Sequence, residues 1–173
     1  VEPSKLVSPE SDCESSERII MQSRLAKAVI LHQLGDVNNA LAEVTEAASK
    51  HSLENCTDSD LAAHTHYTVA SLGLLMLDRT TTTRKGRTQL SREQCLYHAN
   101  EAVRYSSAEL KPGSSPNGWL YIVLRGCVHL SAKDFGAAER DLGLAKQSLV
   151  YAHERDQGHG STSNSEVRPA VVA

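Results

Sequence analysis

Aromatic side chains are scarce in this sequence. One Trp, one Phe and five Tyr among 173 residues are too few for a sandwich of aromatic-rich strands. The apolar 40% is instead dominated by Ala and Leu, which suits closely packed helices. There is also no excess of one charge. A formal charge of −3 and a pI near 6.2 supply no global field that would draw the chain onto nucleic acid or an anionic membrane. Long apolar runs are missing too. The longest, from Val69 to Leu77, is broken by Ser71 and Gly73 and falls well short of the roughly 20 residues a membrane-crossing helix needs.

Recognisable catalytic and metal-binding motifs are also lacking. The sequence has no Gly-rich phosphate loop, no nucleophile elbow and no zincin pattern, so no residue is nominated as a nucleophile or general base. Cys13, Cys56, Cys95 and Cys127 contain no Cys-x-x-Cys pair. They could form two disulfides in an oxidising compartment, but they read better as reduced thiols of an intracellular protein. Of the eight histidines only His64 and His66 are close, and a two-residue spacing on a helix aims them at different faces. We therefore expect no enzyme, no cofactor and no metal site.

Residues 1–17 are rich in Ser, Pro and acidic side chains and match neither a signal peptide nor an Arg-rich presequence. Together with the thiols this points to an intracellular protein, cytoplasmic or, after loss of a presequence, organellar such as mitochondrial. Residues 1–15 are expected to be flexible, as is the Gly/Ser/Thr/Asn-rich tail 155–173.

Between them, apolar residues at three- and four-residue spacing predict six helices. The first runs over 17–34 and stops at Gly35, after which Asp36 caps the second, 37–50. A third follows Asp58 and extends through Leu77. The basic, Thr-rich stretch 79–90 reads as an exposed loop, and Ser91-x-x-Gln94 is a capping box opening the fourth helix, which ends near Tyr105. Pro- and Gly-containing residues 106–118 form another loop. A last pair, 119–131 and 135–153, turns around Lys133-Asp134.

A fixed interval recurs within these hairpins. Ala28, Ala40 and Ala47 are separated by 12 and then seven residues, as are Gly126, Ala138 and Ala145. Asp36 and Asp134 share one offset in the turn, and Val44 and Leu142 share another in the second helix. Small residues at such positions let two helix backbones cross closely while a larger neighbour fills the space beside the crossing. Gly73, Cys95 and Ala102 join the series if about ten extra residues are placed in the 79–90 loop, a usual site for an insertion.

On these residues, with Leu31, Gly35, Leu72 and Phe135, the sequence resembles the tetratricopeptide repeat family and its 34-residue helix–turn–helix unit. The resemblance implies an all-α fold of three degenerate units, about 17–52, 59–107 and 118–153, stacked as a short α-solenoid within a 16–154 domain. Arg24 and His129 depart from the family's usual aromatics, and the links between units are longer than usual.

The resemblance further implies a protein-interaction module, an adaptor or structural subunit of a larger assembly, whose first helices line a concave groove for a partner helix or hydrophobic segment. The family's groove-facing offsets fall on Gln22, Leu25, Val29, His32 and Gln33, on Tyr67, Ala70, Leu74 and Leu77, and on Leu120, Val123, Cys127 and Leu130. Members that grip the acidic tails of chaperones use Lys and Asn where Leu25 and Val29 stand here, so that ligand is not expected. A competing function is association with RNA or catalysis, through Arg79, Arg84, Lys85 and Arg87 or an unrecognised pocket. Without interleaved aromatics to stack on bases, the four basic residues read better as a solvated loop, and nucleic acid is not an expected partner.

Overall fold

Two interhelical turns in the computed structural model share one geometry. Gly35 and Lys133 each adopt a left-handed backbone, with φ of 81° and 62°. In each turn the next residue's N–H reaches back to a carbonyl five residues earlier, Asp36 to Leu31 and Asp134 to His129, both at 2.9 Å. This hydrogen bond satisfies a carbonyl that the helix end would otherwise leave open. The Asp then caps the following helix: Asp36 Oδ1 accepts from the Asn39 N–H at 3.3 Å and Asp134 Oδ1 from the Ala137 N–H at 3.1 Å. The common offset of Asp36 and Asp134 in the sequence thus corresponds to a common local fold.

The structure describes residues 9–49, 58–78, 90–107 and 116–159. They form six helices and no strand: α1 Pro9–Gln33, α2 Val37–Ala47, α3 Ser59–Asp78, α4 Arg92–Ser106, α5 Gly118–Ser131 and α6 Phe135–His159. Arg79, Arg84, Lys85 and Arg87 lie outside the described residues. Asp58 Oδ1 accepts from the Leu61 N–H at 3.0 Å at the start of α3, and the capping box at Ser91 and Gln94 is complete.

Boundaries differ from the sequence reading at several places, and the second helix, expected to reach residue 50, ends at Ala47. The first helix begins at Pro9, within the segment expected to be flexible, and the last continues to His159, past the expected boundary at 155. Both extensions are polar, and apolar periodicity cannot register helix turns that lack an apolar stripe. Leu90, assigned to the exposed loop, is buried at 5% exposure. The polar sequence before it concealed that its isobutyl group packs beside Gly73.

The most extensive helix–helix contacts are within the hairpins α1–α2, α3–α4 and α5–α6. Successive hairpins meet through α2 on α3 and α4 on α5, with a smaller contact between α3 and α5. The nine small residues picked out by their spacing, Ala28, Ala40, Ala47, Gly73, Cys95, Ala102, Gly126, Ala138 and Ala145, are all buried. The backbone at Gly73 is the closest-packed: a Cβ there would stand 2.7 Å from Cys95 Sγ and 2.9 Å from Leu90 Cδ1. At Gly126 a Cβ would meet the Asp141 Cβ at 3.4 Å and the Ala138 carbonyl at 3.6 Å.

Two apolar clusters form the core. The first joins residues of α1 to α5, including Leu25, Leu41, Val44, Val69, Leu72 and Leu124. The second joins Ala63 of α3, Ala102 and Val103 of α4, Tyr121 and Ile122 of α5 and Ala145 of α6. Tyr67 packs against both and lies against Tyr121, with ring centroids 5.4 Å apart and planes tilted by 54°.

Candidate functional site: an apolar cleft between α3 and α5

The first helices of the second and third hairpins lie side by side without closing completely. Between them is a cleft of about 550 Å³, lined by Ser71, Leu74, Leu75 and Leu77 of α3, Arg92 of α4 and Leu124, Cys127 and Ser131 of α5. Its walls are mainly hydrocarbon, with hydroxyls and one guanidinium around them. This is the composition of a site that buries an apolar segment and orients it by a few polar contacts. Leu75 is 44% exposed although its neighbours on α3 are packed, so the surface is open to a partner.

The residues expected to line a groove are divided by the structure. Leu74, Leu77 and Cys127 come together in this cleft. Leu25 and Ala70 are instead buried in the first core cluster. Leu120, Val123 and Tyr67 are half-buried around the second cluster. Val29, His32, Gln22 and Gln33 are exposed on α1, and Leu130 is exposed on α5, none of them among the cleft residues. The opening is thus made by the second and third hairpins alone. Arg92, Leu75 and Leu124 were not singled out by the sequence reading. Arg92 enters from the second helix of a hairpin, whereas the family's groove-facing offsets fall on first helices alone.

A second, polar recess of about 340 Å³ lies over the α5–α6 hairpin, lined by Asn100, Arg125, His129, Asp134, Ala137, Arg140, Asp141 and Leu144. At its base Arg125 and Asp141 form a buried two-point ion pair, with Nε to Oδ2 at 2.9 Å and Nη2 to Oδ1 at 2.6 Å. His129 stands 3.8 Å from a carboxylate oxygen of both Asp134 and Asp141, beyond hydrogen-bond length. Among the described residues no Ser, Thr or Cys lines the recess.

A third polar grouping is inside the α3–α4 hairpin. His66 Nδ1 and His98 Nδ1 are 2.8 Å apart, so one ring donates and the other accepts. The His66 ring is also flanked by Tyr105, stacked at 5.7 Å, and by Tyr97 edge-on at 6.2 Å. Burial, reinforced by the nearby His98 and Arg104 and opposed by Glu101, pushes the His66 pKa down to about 4. Burial lowers His98 and His64 as well. On α4, burial pushes the Cys95 thiol up to about 11, which favours its protonated form. No group of three or more metal-ligating side chains occurs among the described residues, and no helix there is long and apolar enough to cross a membrane.

Comparison with protein-family models, curated proteins and solved structures returns no match for this chain.

Proposed function

We propose that this chain is a non-catalytic protein-interaction module, an adaptor or structural subunit that holds an apolar segment of a partner in the cleft between α3 and α5. The observation that carries this reading is the convergence of Leu74, Leu75, Leu77 and Leu124 on one opening large enough for a few side chains. In the wider setting the three hairpins act as tetratricopeptide-like units of a short α-solenoid, consistent with the common turns at Gly35-Asp36 and Lys133-Asp134.

Arg92 at the cleft edge favours a segment with an acidic residue beside its apolar ones. An amphipathic helix supplies that pattern, with anchors three and four residues apart.

Capture of partners from the native source by the full chain tests the proposal. Leu74→Arg and Cys127→Arg each place a charge in the cleft and should remove those partners while leaving the helical circular dichroism unchanged. Partners retained by both variants at parental yield would overturn the cleft as the binding site.

A further inference from the structure

The last helix has an apolar face that no other described residue covers fully. Phe135, Leu142 and Leu149 follow one another at seven-residue intervals along α6 and are 67%, 43% and 49% exposed. A spacing of seven keeps side chains on one face of a helix and is the repeat of a helix-to-helix seam. The stripe spans about 21 Å from Phe135 to Leu149.

The equivalent positions of the other hairpins are covered. Leu142 corresponds to Val44 and Ala99, both fully buried, and Leu149 corresponds to Ser106, buried at 5%. In those hairpins the second helix also packs on the next hairpin's first helix, α2 on α3 and α4 on α5.

The occupant of the α6 face differs from another hairpin of the same kind. Where the earlier hairpins place Leu41 and Leu96, α6 has Glu139, and where they place Ala48 and Val103 it has Lys146. A hairpin seated as α3 and α5 are would bury both charges without partners, which is costly. A surface that brings opposite charges to Glu139 and Lys146 is required instead.

This surface is α6 itself, running the other way. If two copies cross antiparallel about Leu142, each Leu142 meets its counterpart and Phe135 meets Leu149 of the other copy. Glu139 then faces Lys146, because these residues stand three positions before and four positions after the centre. The charges pair twice by symmetry, and neither residue has an ion pair among the described residues. Gly143 lies beside the crossing, and a Cβ there would meet nothing within 4 Å. A glycine within a helix needs a packing reason, and close approach of a second α6 supplies it.

We infer that the chain forms a two-fold homodimer through antiparallel pairing of α6, with Phe135, Leu142 and Leu149 as the apolar seam and Glu139 against Lys146 as the register-setting pairs. A two-fold interface is self-complementary and closes at two copies, so it does not lead to filaments. It lies apart from the α3–α5 cleft and leaves that opening free, so this inference stands or falls separately from the partner-binding reading.

Sedimentation velocity and light scattering on the full chain at tens of micromolar test it, with a mass of two copies expected. Leu142→Glu should give a monomer with unchanged helicity, and Leu149→Glu, further along the same face, should do the same. Glu139→Lys sets like charges against each other at both ends of the crossing and should weaken association about tenfold, more at low than at high salt. The double variant Glu139→Lys/Lys146→Glu restores the pairing and should recover the parental affinity. A monomeric parent chain, an open series of larger species, a dimer indifferent to both Glu substitutions, or a double variant no tighter than Glu139→Lys would each overturn the antiparallel dimer.

Discussion

Arg125 of α5 and Asp141 of α6 face each other as a two-point ion pair, and both side chains are almost fully buried, at 11% and 6% exposure. Such a pair gains little over apolar residues of similar shape, but losing one member strands the other charge out of water. Asp141→Ala should therefore destabilise the chain by about 3–5 kcal/mol, read from the shift in urea midpoint. The paired change Arg125→Met with Asp141→Leu should cost far less than either single loss. A double variant as unstable as Asp141→Ala would show that the pair does more than compensate its own burial.

Acid should loosen the α3–α4 hairpin through His66. The folded state holds this ring's pKa near 4, against an ordinary value of 6.5, so the unfolded chain takes up protons first as pH falls. The stabilisation is present above pH 6.5 and is lost progressively down to pH 4, on the order of 3 kcal/mol for this group. Burial of His98 and His64 acts in the same direction. Urea unfolding across that pH range should show the decline, and His66→Phe, which removes the titrating ring, should flatten it.

Lys133 occupies the left-handed turn position that the first hairpin gives to Gly35. A side chain at that φ costs about 1 kcal/mol or slightly more, which glycine avoids. Lys133→Gly should therefore raise stability, partly offset by the greater freedom of glycine in the unfolded chain. Gly35→Ala should lower it by a similar amount. Thermal melts of the two variants are the measurement, and shifts of the same sign would contradict the shared turn geometry.

Gly73 is the position most sensitive to a single methyl group. With Cys95 Sγ at 2.7 Å and Leu90 Cδ1 at 2.9 Å from its would-be Cβ, Gly73→Ala should cost about 1–3 kcal/mol by overpacking. Cys95→Ala in the same chain removes the nearer atom and should recover part of the loss. Equal costs in the Gly73 variant with and without Cys95→Ala would mean that the strain is relieved elsewhere.

Local chemistry was the part of this fold that could be read from the sequence. Asp36, Asp58, Ser91 and Asp134 each cap a helix through a partner three residues away, so one short stretch of chain determines each contact. The intervals joining Ala28 to Ala47 and Gly126 to Ala145 were readable for the same reason, since each hairpin is nearly continuous in sequence. Leu74, Leu77 and Cys127 could be carried into the cleft on that register. The pairing of His66 with His98, across the 79–90 segment, could not, because their separation fits no helical or hairpin interval. Nor could the meeting of Arg125 and Asp141. Two charged residues on an amphipathic pattern look solvated until the rotation of both helices is known. Leu90 was missed because a single apolar residue after a polar run has no period to declare its side.

Tyr67 stands where the two core clusters meet, and the helices draw on those clusters unequally. Among the described residues, α1 and α2 contribute buried side chains to the first cluster alone, α6 to the second alone, and α3, α4 and α5 to both. Amide exchange should follow this division, with the slowest protons in α3, α4 and α5, which can open only when both clusters do. The ends of the chain would exchange through separate, smaller openings, and tension applied to the termini would peel α6 or the α1–α2 hairpin away before the three-helix centre gives.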